Sequence, residues 1–387
     1  MQNNLHLYPS TFTHETRILK ETKSIADAKL FDKIFIAAIW RPGLAENECI
    51  DSVRHVWRVP LTTRRLNGIL GKGIRYLEWM IRIYQHFKSE SITCVNCHTI
   101  SVLPLGILLK KRCGASVVYD AHELETEKLG LHGVIKKLCK WGEARLIPLV
   151  DGMIVVSDSI ADWYRNTYYI ENIIVVKNIP YQTSRVKSVN QNILKTQFNI
   201  PENALLFLYQ GLLSYGRGLH LLLRAFTEQN QARHIVFMGY GQLEAEIQEW
   251  AVRYSTIHFH QAVPPDELSR YTAGADIGCC LIEDRCLSYR FSMPNKLFEY
   301  IFSGIPVIAS DFPDMGRFID EYQCGWKVPV SEQMVRDLIH TMTPDDIRTR
   351  KQQALHVRSL IGWEQEQLKL LELYRTQILG SGSIARR

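Results

Sequence analysis

The chain has 387 residues, 46% of them hydrophobic and 22% charged, with a formal net charge of +6. At about 150 residues per domain this length calls for two domains, and the apolar share excludes a disordered chain. No stretch reaches the roughly 18 to 20 uncharged apolar residues of a membrane-spanning helix. The opening MQNNLHLYPS lacks a basic segment followed by an apolar run and a small-residue cleavage site, so no secretory signal is expected.

Nine cysteines, an odd count with no framework spacing, read as reduced thiols of a cytosolic protein. Cys94 and Cys97 form C-x-x-C, but there is no second pair and no nearby H-x-x-x-H, so they are expected as strand-end residues and no metal site is assigned. The charge is uneven: residues 1–190 hold 26 Lys+Arg against 18 Asp+Glu, and the remainder 20 against 22. Basic residues crowd at Arg64, Arg65, Lys72, Arg75, Arg82 and Lys88, and again at Lys110, Lys111, Arg112, Lys136, Lys137 and Lys140. A solvated surface accounts for any single one. The asymmetry draws the first half toward anionic lipid headgroups or a phosphorylated acceptor ahead of nucleic acid.

In chain order, buried-strand runs fall at 5–8, 33–39, 91–96, 116–119, 152–156 and 173–176, and helical patterns at 13–28, 73–89, 103–112, 133–147 and 158–166. A polar connector follows at 184–200. The second half repeats the alternation, with strands at 205–209, 234–238, 257–259, 277–281, 307–309 and 325–328. Its helices fall at 219–227, 242–254, 266–273, 295–303 and 315–322, and a last long helix at 362–378. Strands alternating with helices mean parallel sheets wound on both faces. The expected fold is therefore α/β, two Rossmann-like doubly wound domains facing a central cleft. The expected division is a first domain at 1–183, a second domain at 184–361, a last helix at 362–379 and a flexible tail at 380–387.

The most informative stretch is Ser292 to Ser310, running from loop into helix, through a glycine stop and into a strand. Pro294 and Asn295 can start a helix whose first amides, at Asn295, Lys296 and Leu297, and positive dipole end suit a diphosphate. Glu299 falls in its second turn, where a carboxylate can accept from both hydroxyls of a ribose; an exposed helix position beside buried Leu297 and Phe298 explains it equally well. In Tyr209-Gln-Gly-Leu-Leu-Ser-Tyr-Gly-Arg-Gly, Gly211, Gly216 and Gly218 let backbone approach a ligand while Arg217 reaches a phosphate. The G-x-x-x-x-G-K-[ST] ending of a P-loop is missing. Gly239 and Gly241 form another strand-to-helix turn, without the third glycine of a dinucleotide fingerprint. In the first half, Tyr119-Asp-Ala-His-Glu123 puts Asp120, His122 and Glu123 at a strand end, where a histidine flanked by carboxylates can orient or deprotonate an acceptor hydroxyl. A surface strand-end cluster is the plain alternative, and His98 is a second candidate.

The order of these motifs resembles the retaining glycosyltransferases of family 4. The G-x-x-x-x-x-[KR]-G loop corresponds to Gly211–Gly218, the G-x-G turn to Gly239–Gly241, and P-N-K-L-F-E-Y followed by G-x-P-V-I-A-S to Pro294–Ser310. In the first half the resemblance runs through Tyr8-Pro-Ser10 with Arg17, Lys20 and Glu21, then Asp120–Glu123, Val155-Val-Ser157 and Val176–Pro180. It implies a GT-B fold and transfer of a sugar, with retention, from a nucleotide diphosphate sugar that serves as donor substrate, with no cofactor. It also implies Glu299 on the donor ribose, Arg217 on the diphosphate, Val263 near the base and His122 beside acceptor and donor sugar. No metal is required if Arg217 and the helix end stabilise the departing phosphate. The chain departs from the family's pattern at Phe291, where the first glutamate of E-x7-E is expected, with Arg290, Ser292, Asn295 or Lys296 as its replacement. It departs again at Leu212, where many members carry arginine, and at Tyr8–Thr11, where a glycine pair is usual. The function expected is a metal-independent retaining glycosyltransferase acting on a lipid-linked saccharide acceptor in surface polysaccharide or glycolipid biosynthesis. It would be cytoplasmic, with peripheral contact to anionic membrane on the inner face of the plasma membrane and no nucleic-acid partner. A GT-B sugar-nucleotide epimerase and a noncatalytic nucleotide-binding partner of another transferase stand as alternatives.

Overall fold

The computed structural model describes residues 2–13, 15–184, 192–228 and 232–380. The chain divides into two compact units, residues 1–177 with 366–387, and residues 178–365. The expected division placed these junctions at 183/184 and 361/362. Residues 185–191 of the expected connector and 381–387 of the expected tail lie outside the described residues.

Unit 1 carries an eight-stranded sheet built from β1 (Asn3–Leu7), β2 (Lys33–Ile39), β3 (Asn47–Cys49), β4 (Arg54–Val59), β5 (Ile92–Cys97), β6 (Ser116–Ala121), β7 (Gly152–Val155) and β8 (Ile173–Val175), in the order 3-4-2-1-5-6-7-8. All neighbours are parallel except β3 against β4. Its helices are α1 (Thr16–Asp27), α2 (Gly68–Phe87), α3 (Leu103–Cys113), α4 (Gly133–Leu146) and α5 (Asp158–Tyr168). The central strands are buried because helices cover both faces, and they carry a few polar residues, Asn3, Asn4, His6, Asn96 and Asp120, among the apolar ones. Trp79 of α2 is fully buried and its indole N–H donates to Ala38 O at 2.9 Å.

β4 is invisible to a hydropathy reading. Its sequence, Arg-His-Val-Trp-Arg-Val, places two arginines where a buried strand calls for apolar residues, yet both are buried. Arg54 Nε donates to Asp51 at 2.7 Å and Nη1 to Leu19 O at 3.1 Å. Arg58 pairs with Glu48 at 2.7 Å and donates to the carbonyls of Thr11 and Phe12 at 2.8 and 3.0 Å. Full pairing makes the burial of both cations affordable. α2 starts at Gly68, five residues before the expected position, because Gly71 lets the first turn fold onto Leu66, whose carbonyl carbon would lie 2.7 Å from a Cβ there.

Unit 2 begins with α6 (Ile193–Gln197) and carries a six-stranded, all-parallel sheet. In chain order its elements are β9 (Leu205–Leu212), α7 (Leu219–Ala225), β10 (Arg233–Tyr240), α8 (Glu244–Arg253), β11 (Ile257–Gln261), α9 (Pro265–Thr272), β12 (Ile277–Cys280), α10 (Leu287–Arg290), α11 (Asn295–Phe302), β13 (Val307–Ser310), α12 (Pro313–Tyr322), β14 (Gly325–Val328), α13 (Glu332–Thr341) and α14 (Pro344–Leu360). The strand order is 11-10-9-12-13-14. One sheet face packs on a core that includes Leu297, Phe298, Ile301 and Met315, the other on a core that includes Leu219, Leu222, Ile247 and Val335. α13 and α14, which the sequence reading passed over, are set by their caps: Ser331 accepts from Met334 N, and Thr343 with Asp346 forms a reciprocal capping box. α15 (Trp363–Leu373) begins at the end of unit 2 and belongs to unit 1 from Glu366 onward.

Each sheet reverses its winding direction once, between β1 and β5 in unit 1 and between β9 and β12 in unit 2. In open α/β sheets the crevice beyond the strand ends at such a reversal is where ligands bind. The unit 2 reversal depends on very close backbone approach. β9 and β10 pair Gly211 with Gly239, and a Cβ on Gly239 would sit 1.8 Å from Gly211 O. Gly239→Ala therefore has to spread the two strands, and a loss of about 1–3 kcal/mol or more is expected in urea unfolding. An unchanged midpoint would show that the strand ends are slack.

Candidate functional site

At the β9/β12 reversal, the turn after β9 curls over the exit of β12. Gly216 and Gly218 take positive φ (+81° and +68°), and a Cβ on Gly218 would meet that of Leu281 at 2.5 Å. A Cβ on Gly241 would meet Leu213 O at 2.3 Å. These glycines, like Gly239, are required by the neighbouring protein atoms themselves, whereas Gly211 (φ +112°) has open space on its Cβ side. The expectation that all of them make room for a ligand narrows to Gly211.

The turn projects Arg217, half-buried, with its Nε buried and lacking a hydrogen-bond partner. From the first turn of α11 comes Lys296, 8% exposed, its ammonium 3.8 Å from the centre of the Tyr209 ring and also without a hydrogen-bond partner. A cation over an aromatic face is attracted to it, but that does not replace the hydrogen bonds lost with water. Burial, with the Arg217 charge adding to it, lowers the Lys296 ammonium to about 8 against the pull of the Cys280 thiol and Glu299. The Cys280 thiol, pushed up to about 11 by burial, feels Lys296 and Arg217 in one direction and Glu299 in the other. Lys296 and Cys280 thus each feel both the Arg217 and the Glu299 charge.

Glu299 is half-buried and is held by Gln210, whose Nε2 donates to Oε2 at 2.7 Å. Gln210 is fixed in turn: its Oε1 lies 2.7 Å from Thr272 Oγ1, and its backbone N–H donates to Tyr300 Oη at 3.0 Å. Gln210, Tyr209 and Thr272 were not singled out from sequence; the signal available was that Gln210 is a polar residue inside a buried strand.

Of the four residues expected to replace the carboxylate absent at Phe291, three are engaged. Arg290 is exposed and pairs with Asp284 at 3.2 Å, Ser292 Oγ donates to Tyr289 O at 2.7 Å, and Asn295 Oδ1 accepts from Asn178 at 3.0 Å. Lys296 alone of the four brings a buried polar atom with no partner. Leu297 is fully buried in the core and its N–H returns to Pro294 O at 3.1 Å, so its contribution is packing. Val263, just after β11, is partly buried against the same core.

At the β1/β5 reversal of unit 1, Asp120 at the end of β6 is completely buried and receives donors on both oxygens. Arg17 of α1 donates from Nη2 to Oδ1 at 2.7 Å and from Nε to Oδ2 at 3.2 Å. Nitrogens of His98 and His122 each lie 2.8 Å from Oδ2. Burial opposes ionisation of Asp120, but the Arg17 charge, then His122 and the histidine donors, outweigh it and hold the carboxyl well below its usual range. Glu21, one helical turn from Arg17 and 3.0 Å from its Nε, is raised to about 8 by burial and by Asp120. His122 is the accessible member of the group, its side chain 25% exposed, while Glu123 turns to Lys128 at 3.0 Å. The ligand-type atoms of His98, Asp120 and His122 lie within 4.8 Å of one another, near enough for a cation. The guanidinium already clamped on both oxygens of Asp120 would repel one, so the set reads as a carboxylate gripped by N–H donors.

Two parallel-sheet α/β units, each with a charged cluster at its winding reversal, define a GT-B fold. The model of the family described as Glycosyltransferase Family 4 matches residues 31–179, and that of Glycosyl transferases group 1 matches residues 204–343. The chain belongs to these family 4, group 1 glycosyltransferases. Among solved structures it is similar to a sucrose-phosphate synthase from Thermosynechococcus elongatus (14% identity, TM-score 0.82, covering 98% of this chain and 100% of that one). It is also similar to Anabaena HepE, solved with UDP-glucose (14%, 0.73, 97% and 99%). A third is WaaG, a glycosyltransferase involved in lipopolysaccharide biosynthesis (14%, 0.68, 96% and 99%). No curated protein matches the sequence.

Lys296 gives a test that needs no substrate. Its folded-state value of about 8 lies below the ordinary 10.5. Between those values the unfolded chain binds the extra proton, so stability should rise with pH across that window. Lys296→Met should flatten this slope and stabilise the unliganded protein by about 1–3 kcal/mol below pH 8, since it removes a buried, unpartnered cation. Identical pH–stability curves for the two proteins would remove the strain argument.

Proposed function

We propose that the protein transfers a sugar, with retention, from a nucleotide diphosphate sugar to a saccharide acceptor, and that unit 2 binds the donor. The observation that carries this reading is the pair of under-coordinated cations, Arg217 and Lys296, converging with Glu299 beside the open backbone of Gly211. Two cations short of acceptors match a diphosphate, and a carboxylate oriented by Gln210 matches vicinal ribose hydroxyls. As the glycosidic bond breaks, negative charge grows on the leaving diphosphate. Fixed cations stabilise that charge without reorganising, so the reaction we propose is independent of metal. His122, held by Asp120, is assigned to the acceptor hydroxyl.

The donor reading is tested with UDP, GDP, dTDP, ADP and CMP in thermal-shift titrations, because a ligand selective for the folded state raises its apparent stability. One nucleotide class is expected to stand out. Arg217→Ala and Glu299→Ala should each weaken its binding by about 1.5–3 kcal/mol, the scale of a charged hydrogen bond. Wild-type binding in both variants would break the assignment.

We also propose that the acceptor is lipid-linked and that unit 1 touches an anionic membrane. No helix among the described residues is long and apolar enough to cross one. α2 and α4 lie on either side of α3 and begin at the same sheet edge, since β4 and β6 point the same way. Their opening turns expose apolar side chains that a soluble surface would bury: Ile69 89%, Leu70 84%, Val134 72% and Ile135 66%. Arg64, Arg65, Lys72 and Arg75 accompany the first group and Lys128, Lys136, Lys137 and Lys140 the second, with no acidic residue from 61 to 77 or from 128 to 142. Apolar side chains ringed by cations match an interface with acidic headgroups. The protein is expected to float with vesicles containing phosphatidylglycerol and not with phosphatidylcholine alone. Ile69→Asp with Leu70→Asp should weaken that binding at least about tenfold. Equal binding by the double variant would overturn the membrane reading and leave the donor reading untouched.

A further inference from the structure

Behind Asp120, a line of polar side chains runs into the core of unit 1, and the reaction proposed above makes no direct use of it. His98 Nδ1 faces Asp120 Oδ2 at 2.8 Å, His98 Nε2 faces His6 Nδ1 at 2.9 Å, and His6 Nε2 faces Asn4 Oδ1 at 2.6 Å. Asn4, His6, His98 and Asp120 are all fully buried.

The acceptors at the two ends are fixed. Asn4 Nδ2 donates to the Cys94 carbonyl at 3.2 Å and to Asn96 Oδ1 at 2.8 Å, which leaves Asn4 Oδ1 as an acceptor and requires a proton on His6 Nε2. Arg17 and His122 also donate to Asp120, so Asp120 accepts and His98 Nδ1 must carry a proton. The central contact, nitrogen to nitrogen at 2.9 Å, needs a proton of its own, because two bare lone pairs repel at that distance. Three contacts demand three protons, and two neutral imidazoles bring two.

We propose that the His6–His98 pair carries three ring protons, making it a buried imidazolium shared across the central contact. Burial drives each ring toward the neutral form. The three-contact line is what opposes it, together with the Asp120 carboxylate, which favours the charged form of both rings. The other groups facing the pair are the Tyr8 ring, 6.0 Å from His98 and edge-on, the His122 ring at 5.5 Å, and the Arg17 charge, which acts against His98. Glu21 beside Arg17, its carboxyl raised to about 8 by burial and by Asp120, is mostly protonated at about pH 7.5, so the counter-charge comes from Asp120. His122 donates Nε2–H to Asp120 and keeps the lone pair on Nδ1 for a hydroxyl. His6 touches no substrate in this scheme; it is a positioning residue acting through His98. The role for His122 rests on the transferase reading, whereas the proton count does not.

The full-length chain labelled with 15N-histidine decides the count in long-range proton–nitrogen spectra at about pH 7.5, where an ordinary imidazole of pKa about 6.5 is mostly neutral. Three of the four ring nitrogens of His6 and His98 are expected in the protonated range. Two of four would overturn the proposal. Assignment through the backbone lets the wild-type spectrum decide even if His6→Leu does not fold. Where that variant folds, His98 should show a single ring proton, on Nδ1 toward Asp120. Two ring protons on His98 in that variant would overturn the role of His6 while leaving the donor assignment of unit 2 standing.

Discussion

An ammonium buried without an acceptor is the constraint around which unit 2 is arranged. Lys296 sits in the first turn of a helix whose other inward residues, Leu297, Phe298, Tyr300 and Ile301, are fully buried. Its cation is therefore carried into the protein by packing it does not control. The face of Tyr209 receives it, and Glu299 partly offsets its charge. Hydrophobic burial along α11 meets the cost of desolvating the charge, and the result is a cation short of partners. An incoming polyanion would supply what the fold withholds, so stability given up in the unliganded state returns as binding selectivity for negative charge.

Unit 1 solves the opposite problem. There the central charge is a carboxylate, and Asp120 is saturated with donors. Truncating one partner of such a group leaves the others facing an uncompensated charge, which is why Arg17, His98 and His122 are better regarded as one object than as separate contributions. The arrangement also shows how a strand-end histidine can be accessible and fixed at once. Its carboxylate anchor lies wholly inside, on β6, and the anchor is held from α1.

Much of this was legible in the sequence. Apolar strand runs separated by helical patterns were enough for two parallel sheets, and the glycine turns and the Pro294 helix start could be placed at strand ends. The failures have physical causes. β4 hid because Arg54 and Arg58 are buried by pairing with Asp51, Glu48 and backbone carbonyls contributed from other segments. α14 hid because its ends are written in caps rather than in an apolar stripe. Within the sites, Arg217, Glu299, Asp120 and His122 could be singled out from residue type and motif. The residues that orient them, Gln210, Asn4 and His6, could not, since each meets its partners only through the topology of the sheet.

The same topology explains why Phe291 need not empty the site. The contact expected from a glutamate at that position would fall at the C-cap of α10, and the polar groups next to it, on Arg290 and Ser292, are turned to Asp284 and to the Tyr289 carbonyl. One turn into α11, Lys296 offers charge of the opposite sign. Exchanging an acceptor for a donor beside the diphosphate position changes what a sugar must present there. A hydroxyl can donate to a carboxylate, but toward an ammonium it must accept, and a carboxylate or phosphate on the sugar would accept more strongly. Under the proposed donor reading, the departure at Phe291 would bear on which sugar is held rather than on whether one is held.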